Sequence, residues 1–138
     1  MSVIQIYFDG GTIGKRTHTD GGDGYGSWEA CWNGFSKKAS RVHFAANIFG
    51  GKVTNNVAEY LALTRGLEWL QSIADKHDYH VHIYGDSELV LKTLSGKFKL
   101  KAAHLRPLRD RCLELLAGFG SWQTEWQGRA NNVRRFGH

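Results

Sequence analysis

The chain has 138 residues, 41% of them apolar and 12% aromatic, a length for one domain with a buried core rather than two domains or a disordered tail. It contains no apolar run of the roughly 18–20 residues that cross a bilayer, and its start, MSVIQIYFDGG, has none of the marks of a secretory signal. Eighteen basic against thirteen acidic side chains give +5, and residues 92–138 hold ten of the basic but only three of the acidic ones. That third suits either a phosphate backbone or a solvated basic surface.

In chain order, residues 3–8 (VIQIYF) predict a buried strand that stops at Asp9-Gly10-Gly11. Residues 27–32 and 41–49 predict two further strands, and the three form an antiparallel meander. From 55 to about 74 the apolar period becomes helical. Residues 81–84 return to strand and end at Gly85-Asp86. Residues 87–94 and 105–116 predict helices, with Pro107 in the first turn of the second. Residues 122–126 predict a strand, and 133–138 begin a last helix. The expected fold is α/β: residues 1–138 make a single domain with a mixed five-stranded sheet. Three antiparallel strands come first, then two parallel ones by helical crossovers, with helices on the faces. Cys31 and Cys112 stand far apart with no CxxC, which fits a reducing cytoplasm better than a disulfide framework or a cysteine-type zinc site.

Asp9 closes the first strand and Asp86 the fourth. If those strands are parallel neighbours, both carboxylates leave the same edge of the sheet, where α/β folds bind ligands. Each also suits a plainer duty, starting a turn or capping a helix. Glu59 is more telling. On a helical wheel Ala62, Leu63, Gly66, Leu67, Leu70 and Ile73 fall in one half, Arg65, Glu68 and Ser72 in the other, and Glu59 near the middle of the apolar half. Its place in the first turn suits the helix dipole, but that does not explain its side. A carboxylate aimed at a core is costly unless a cation compensates it. Two strand ends and one helix thus offer hard oxygens of the kind Mg²⁺ prefers.

IYFDGG at 6–11, TNNVAEYLAL at 54–63 and YGDSELV at 84–90 closely resemble type 1 ribonuclease H, and SGKFKLKAAHLRPLRDRCLELL at 95–116 is similar to its compact prokaryotic branch. The resemblance covers nearly the whole chain. It implies the ribonuclease H-like fold and metal-dependent hydrolysis of the RNA strand of RNA–DNA hybrids by two divalent ions, Mg²⁺ or Mn²⁺, leaving 5′-phosphate ends. It implies Asp9, Glu59 and Asp86 as catalytic metal ligands. Thr54, Asn55 and Asn56 resemble the loop that meets the substrate strands in the minor groove, and Gly10 and Gly11 match the turn that lets substrate backbone approach. The expected partner is the hybrid and the expected state a monomer, with no membrane.

The chain departs from the family in WQGRANNVRRFGH, where an aspartate usually supplies a fourth ligand. If Asn132 matches the family asparagine, Phe136 stands in the aspartate position. Either a two-residue shift brings His138 there as the fourth catalytic residue, or Asn131 or Asn132 supplies a carbonyl oxygen. Arg129 stands in the loop where some relatives carry a histidine; it would grip a phosphate or lie solvated. Lys97, Lys99 and Lys101 form a basic edge suited to the DNA-strand backbone. The alternative function is a catalytically impaired module on the same fold that binds the hybrid or double-stranded RNA; a third is a metal-dependent nuclease for another nucleic acid.

Overall fold

The structure is a computed structural model and describes residues 2–13 and 22–137. Five strands form one sheet: β1 (Ser2–Thr12), β2 (Gly24–Trp32), β3 (Phe35–Phe44), β4 (Tyr79–Gly85) and β5 (Ser121–Trp126). Their order is β3-β2-β1-β4-β5, with antiparallel pairing among the first three and parallel pairing of β4 to β1 and of β5 to β4. The mixed sheet expected from the element order is the sheet observed.

Alternation along β1 sorts its side chains. Ile4, Ile6 and Phe8 are buried in the main core, together with Val81 and Ile83 of β4. Over that face lies α2 (Asn55–Leu70), which buries Val57, Ala58, Tyr60, Ala62, Leu63, Leu67 and Leu70. The same core takes in Val90, Leu91 and Leu94 of α3 (Glu88–Leu94) and Cys112, Leu115 and Leu116 of α4 (Arg106–Leu116). Thr54 and Ser87 cap α2 and α3, accepting bonds from the Val57 and Val90 amides at 3.3 and 3.2 Å. Such caps are worth about 1 kcal/mol each. On the opposite face, Tyr7 and Tyr84 stack at 4.8 Å between centroids and pack with Phe136 of α5 (Arg129–Phe136). Helices thus cover both faces.

Several boundaries differ from the sequence reading; β2, for one, starts at Gly24 rather than 27, and β4 at Tyr79 rather than 81. β1 does not stop at Asp9 but runs on to Thr12, pairing Gly10 with Gly26, Gly11 with Tyr25 and Thr12 with Gly24. β3 lies at 35–44 rather than 41–49; the chain leaves the sheet at Phe44 and turns once as α1 (Ala46–Phe49), ended by Gly50 at φ 91°. α2 stops at Leu70 instead of running to 74, and α5 begins at Arg129, four residues before the expected start.

Gly10 is where β1 and α2 meet. A Cβ there would stand 2.5 Å from the carbonyl carbon of Ala58 and 2.6 Å from the Glu59 nitrogen. Helix backbone cannot yield as a side-chain tip can. Gly10→Ala is therefore expected to destabilise the fold by about 3 kcal/mol, read as a lower urea midpoint at unchanged slope. A midpoint equal to the wild type would remove this contact as a determinant of helix position.

Candidate active site

β1 and β4 run side by side in register up to Tyr7↔Tyr84. Asp9 and Asp86 each lie two residues beyond that pair, so parallel pairing carries both acids to one end of the sheet. α2 begins at the same end, and Glu59 sits on its inward side in the second turn. The three carboxylates line a single cleft of about 290 Å³, with Asn55 at the helix start and Arg129 at the start of α5. A larger hollow of about 450 Å³ at the β2–β3 hairpin, between Val3 and Phe35, has no acidic lining.

The acids perturb one another. Burial, then the charge of Asp86, pushes Asp9 up to about 7, against the lowering effects of the Gly10 amide, Arg129 and Asn132. Burial pushes Glu59 up to about 8, with Asp86 and Asp9 adding to the rise and a hydrogen bond from Ser87 opposing it. Glu59 Oε2 is buried with no hydrogen-bond partner. An orphaned carboxylate oxygen is expensive in a folded protein.

That oxygen tests the metal expectation. Among the described residues no three acidic, histidine or cysteine side chains form a ready-made coordination shell. The donors are nevertheless hard oxygens around one cavity, electrostatically coupled and short of positive charge. Mg²⁺ and Mn²⁺ commonly take only a few carboxylates and complete their octahedra with water and phosphate oxygens. The residues fit a divalent cation.

Of the alternatives open for the fourth position, Asn132 is the described one that meets Asp9. Phe136 is 7% exposed and belongs to the aromatic cluster under the sheet, one helical turn away from the cleft. The α5 side chain that meets Asp9 is Asn132, itself buried. Its amide favours the ionised aspartate, although Nδ2 has no partner at full hydrogen-bond geometry. Asn131 points elsewhere, accepting a bond from Arg134. His138 lies outside the described residues.

Gly10 and Gly11 line the cleft, but the turn expected for them is replaced by strand. The space a Gly10 side chain would fill belongs to α2, and a Cβ on Gly11 would meet the Tyr25 hydroxyl at 2.6 Å. Their lack of side chains serves the fold first. Thr54 commits its hydroxyl to the α2 cap, Asn55 faces the cleft, and Asn56 is half-buried beside it. Lys97, Lys99 and Lys101 are exposed in the segment after α3. Ser87 is a site residue that sequence reasoning does not single out; its signal is its place right after Asp86, where a capping hydroxyl also reaches a neighbouring carboxylate.

A family model described as reverse transcriptase-like matches residues 32–134. The chain belongs to this family, within its type 1 ribonuclease H group. Ribonuclease HI of Halobacterium salinarum is 42% identical over 84 residues, which cover 61% of this chain and 41% of that protein. The crystal structure of RNase H1 from the same archaeon is 30% identical, with a TM-score of 0.68 over 96% of this chain and 90% of that one. LC11-RNase H1, isolated from compost by a metagenomic approach, was solved in complex with an RNA/DNA hybrid; it is 26% identical, with a TM-score of 0.70 over 95% and 89% of the two chains. The chain thus spans about two fifths of the first curated relative it matches, and 33% of three mycobacterial ones.

Proposed function

We propose that this chain is a metal-dependent endonuclease that hydrolyses the RNA strand of RNA–DNA hybrids. The observation that carries the reading is the convergence of Asp9, Glu59 and Asp86 on one cleft in a chain of this family. Asp9 and Asp86 hold their carboxylates at the sheet edge, and Glu59 reaches the same space from α2. The chemistry supplied by two divalent ions bound among these oxygens is an activated water for in-line attack and a counter-charge for the departing 3′ oxygen. Asn55 and its neighbours at the start of α2 offer polar groups to the ribose–phosphate backbone. Support for the hybrid as substrate comes from the LC11 relative. Cys31 and Cys112 are both free thiols, in keeping with action in a reducing cytoplasm, and the chain is read as a monomer.

The position of Asn132 favours a second reading. An amide stands where a further carboxylate would complete the ligand set, so a module that binds the hybrid or duplex RNA without cutting it is the competing function. Among the described residues no histidine is placed to replace it. One experiment separates the two readings. Labelled hybrid, duplex RNA and duplex DNA are incubated with Mg²⁺ or Mn²⁺, then analysed on denaturing and native gels. Cleavage of hybrid RNA to 5′-phosphate products is expected, faster in Mn²⁺ than in Mg²⁺ because the ligand set lacks one negative charge. Hybrid that is shifted but intact in both metals would establish the binding module. Cleavage of another duplex in preference to hybrid would change the substrate class.

A further inference from the structure

Trp126 is a large apolar residue whose place burial does not explain. Tryptophan is highly buried on average in folded chains. Trp122, earlier on β5, packs against the main core, whereas Trp126 is 59% exposed. Trp126 closes β5 at the cleft end of the sheet, paired with Gly85, the last residue of β4. Its indole Nε1–H donates to the backbone carbonyl of Asp86 at 3.1 Å. The next residue, Gln127, gives its amide to the Gly85 carbonyl at 2.8 Å. Two consecutive carbonyls beside the cleft are thus held by two consecutive residues at the end of β5.

Asp86 sits in a bend between β4 and α3, past the end of the strand ladder. The peptide unit is planar, so a bond that fixes the Asp86 carbonyl also fixes the Ser87 nitrogen joined to it. Both residues matter to the cleft: Asp86 lines it, and Ser87 caps α3 and hydrogen-bonds Glu59. We infer that Trp126 is a positioning residue of the cleft. Its indole bond sets the Asp86–Ser87 peptide, and through it the Asp86 carboxylate and the hydroxyl that meets Glu59. This rests on the metal-dependent reading above. An indole N–H donates and cannot accept, so this bond is the polar duty of the side chain, and a phenyl ring has no group to replace it. A single hydrogen bond at the surface adds little to stability, but small displacements of reacting groups cost large factors in rate.

The test compares the wild type with Trp126→Phe, which keeps a ring but has no N–H, and Trp126→Leu, which has neither. On hybrid, each variant should lower kcat by about 10-fold while KM stays within about twofold. In the substrate-free protein, each should bind Mn²⁺ about 5-fold more weakly, followed by the loss of free-ion paramagnetic resonance signal. A third measurement needs only the wild type, should either variant fold poorly. Of its five ¹⁵N-labelled indole signals, one should shift as Mg²⁺ is added, and it should be the signal that Trp126→Phe lacks. A loss confined to KM, recovered in Trp126→Phe but not in Trp126→Leu, would make the ring a stacking surface for substrate and overturn the proposal. Wild-type kcat and Mn²⁺ isotherms in both variants, or indole signals that all ignore Mg²⁺, would also overturn it while leaving the nuclease reading intact. A wild type that neither cuts hybrid nor binds Mn²⁺ would instead bring down the metal-dependent reading on which it rests.

Discussion

Glu59→Gln is expected to reduce hydrolysis of hybrid by about 10³-fold or more while making the metal-free protein more stable above neutral pH. The rate loss follows from removing a carboxylate from the cleft; the gain follows from linkage. Glu59 titrates near 8 in the folded chain against an ordinary value near 4.5, and Asp9 near 7 against 3.8. Between the two values of each group the folded state holds a proton that the unfolded state has released. Stability therefore falls as pH rises through this window, from about 4 to about 8, and the contribution is complete only below it. The glutamine amide of the variant stays neutral throughout and removes the larger part of the slope. The difference should reach about 1–3 kcal/mol at pH 8, well short of the full shift because the carboxylates share solvent and charge with one another. Urea unfolding in chelator at pH 5, 6, 7 and 8 measures it, and Mg²⁺ should flatten the wild-type curve by binding the folded state alone. A variant that unfolds more easily than wild type at pH 8 without metal would make Glu59 a structural residue and remove the central ligand from the proposed site.

The sequence makes some of this visible because period and side are local properties. The helical spacing around Glu59 puts a carboxylate on the buried side of α2, and the structure shows that side facing core and cleft. The strand and helix order suffices for the sheet, because a helix between two strands demands a parallel crossover. What stays hidden depends on partners distant in the chain. Gly10 and Gly11 read as a turn since glycine breaks strands locally; here they pair with another glycine-rich stretch, Gly24 to Gly26, and the missing side chains make room for α2 and Tyr25. The place of β3 is illegible because an edge strand bearing Lys37, Lys38 and Arg41 has almost no buried face to produce alternation. The start of α5 is hidden because Gly128 caps it without a side-chain signal. Counting along the motif leaves Asn131, Asn132 and His138 open for the place against Asp9, since the phase and axial position of the helix decide which side chain reaches the sheet edge. Asn132 and Phe136 share that face of α5 one turn apart, so Asn132 meets Asp9 and Phe136 enters the aromatic cluster with Tyr7.

Asn132→Asp is therefore expected to act in two opposite ways. The site is 2% exposed and lies against Asp9, whose own ionisation is already opposed by burial and by Asp86. A further acid there, without metal, either stays protonated or ionises at a desolvation cost, and the variant should lose about 2 kcal/mol of stability in chelator near pH 8. The penalty should shrink below pH 6, where the new carboxyl keeps its proton. With divalent metal the sign reverses. One more negative oxygen in the cleft strengthens cation binding, so the Mg²⁺ concentration for half-maximal cleavage should fall by about 10-fold and the advantage of Mn²⁺ over Mg²⁺ should narrow. Thermal unfolding with and without metal, beside Mg²⁺ and Mn²⁺ titrations of hybrid cleavage, reads both effects on one protein. Stability that drops in chelator and is regained in Mg²⁺, with tighter Mg²⁺ dependence, would show that α5 delivers its fourth side chain to the metal cleft at residue 132. An unchanged Mg²⁺ requirement together with a metal-independent stability loss would show that residue 132 only packs against Asp9, and that the cations are held by the three carboxylates alone.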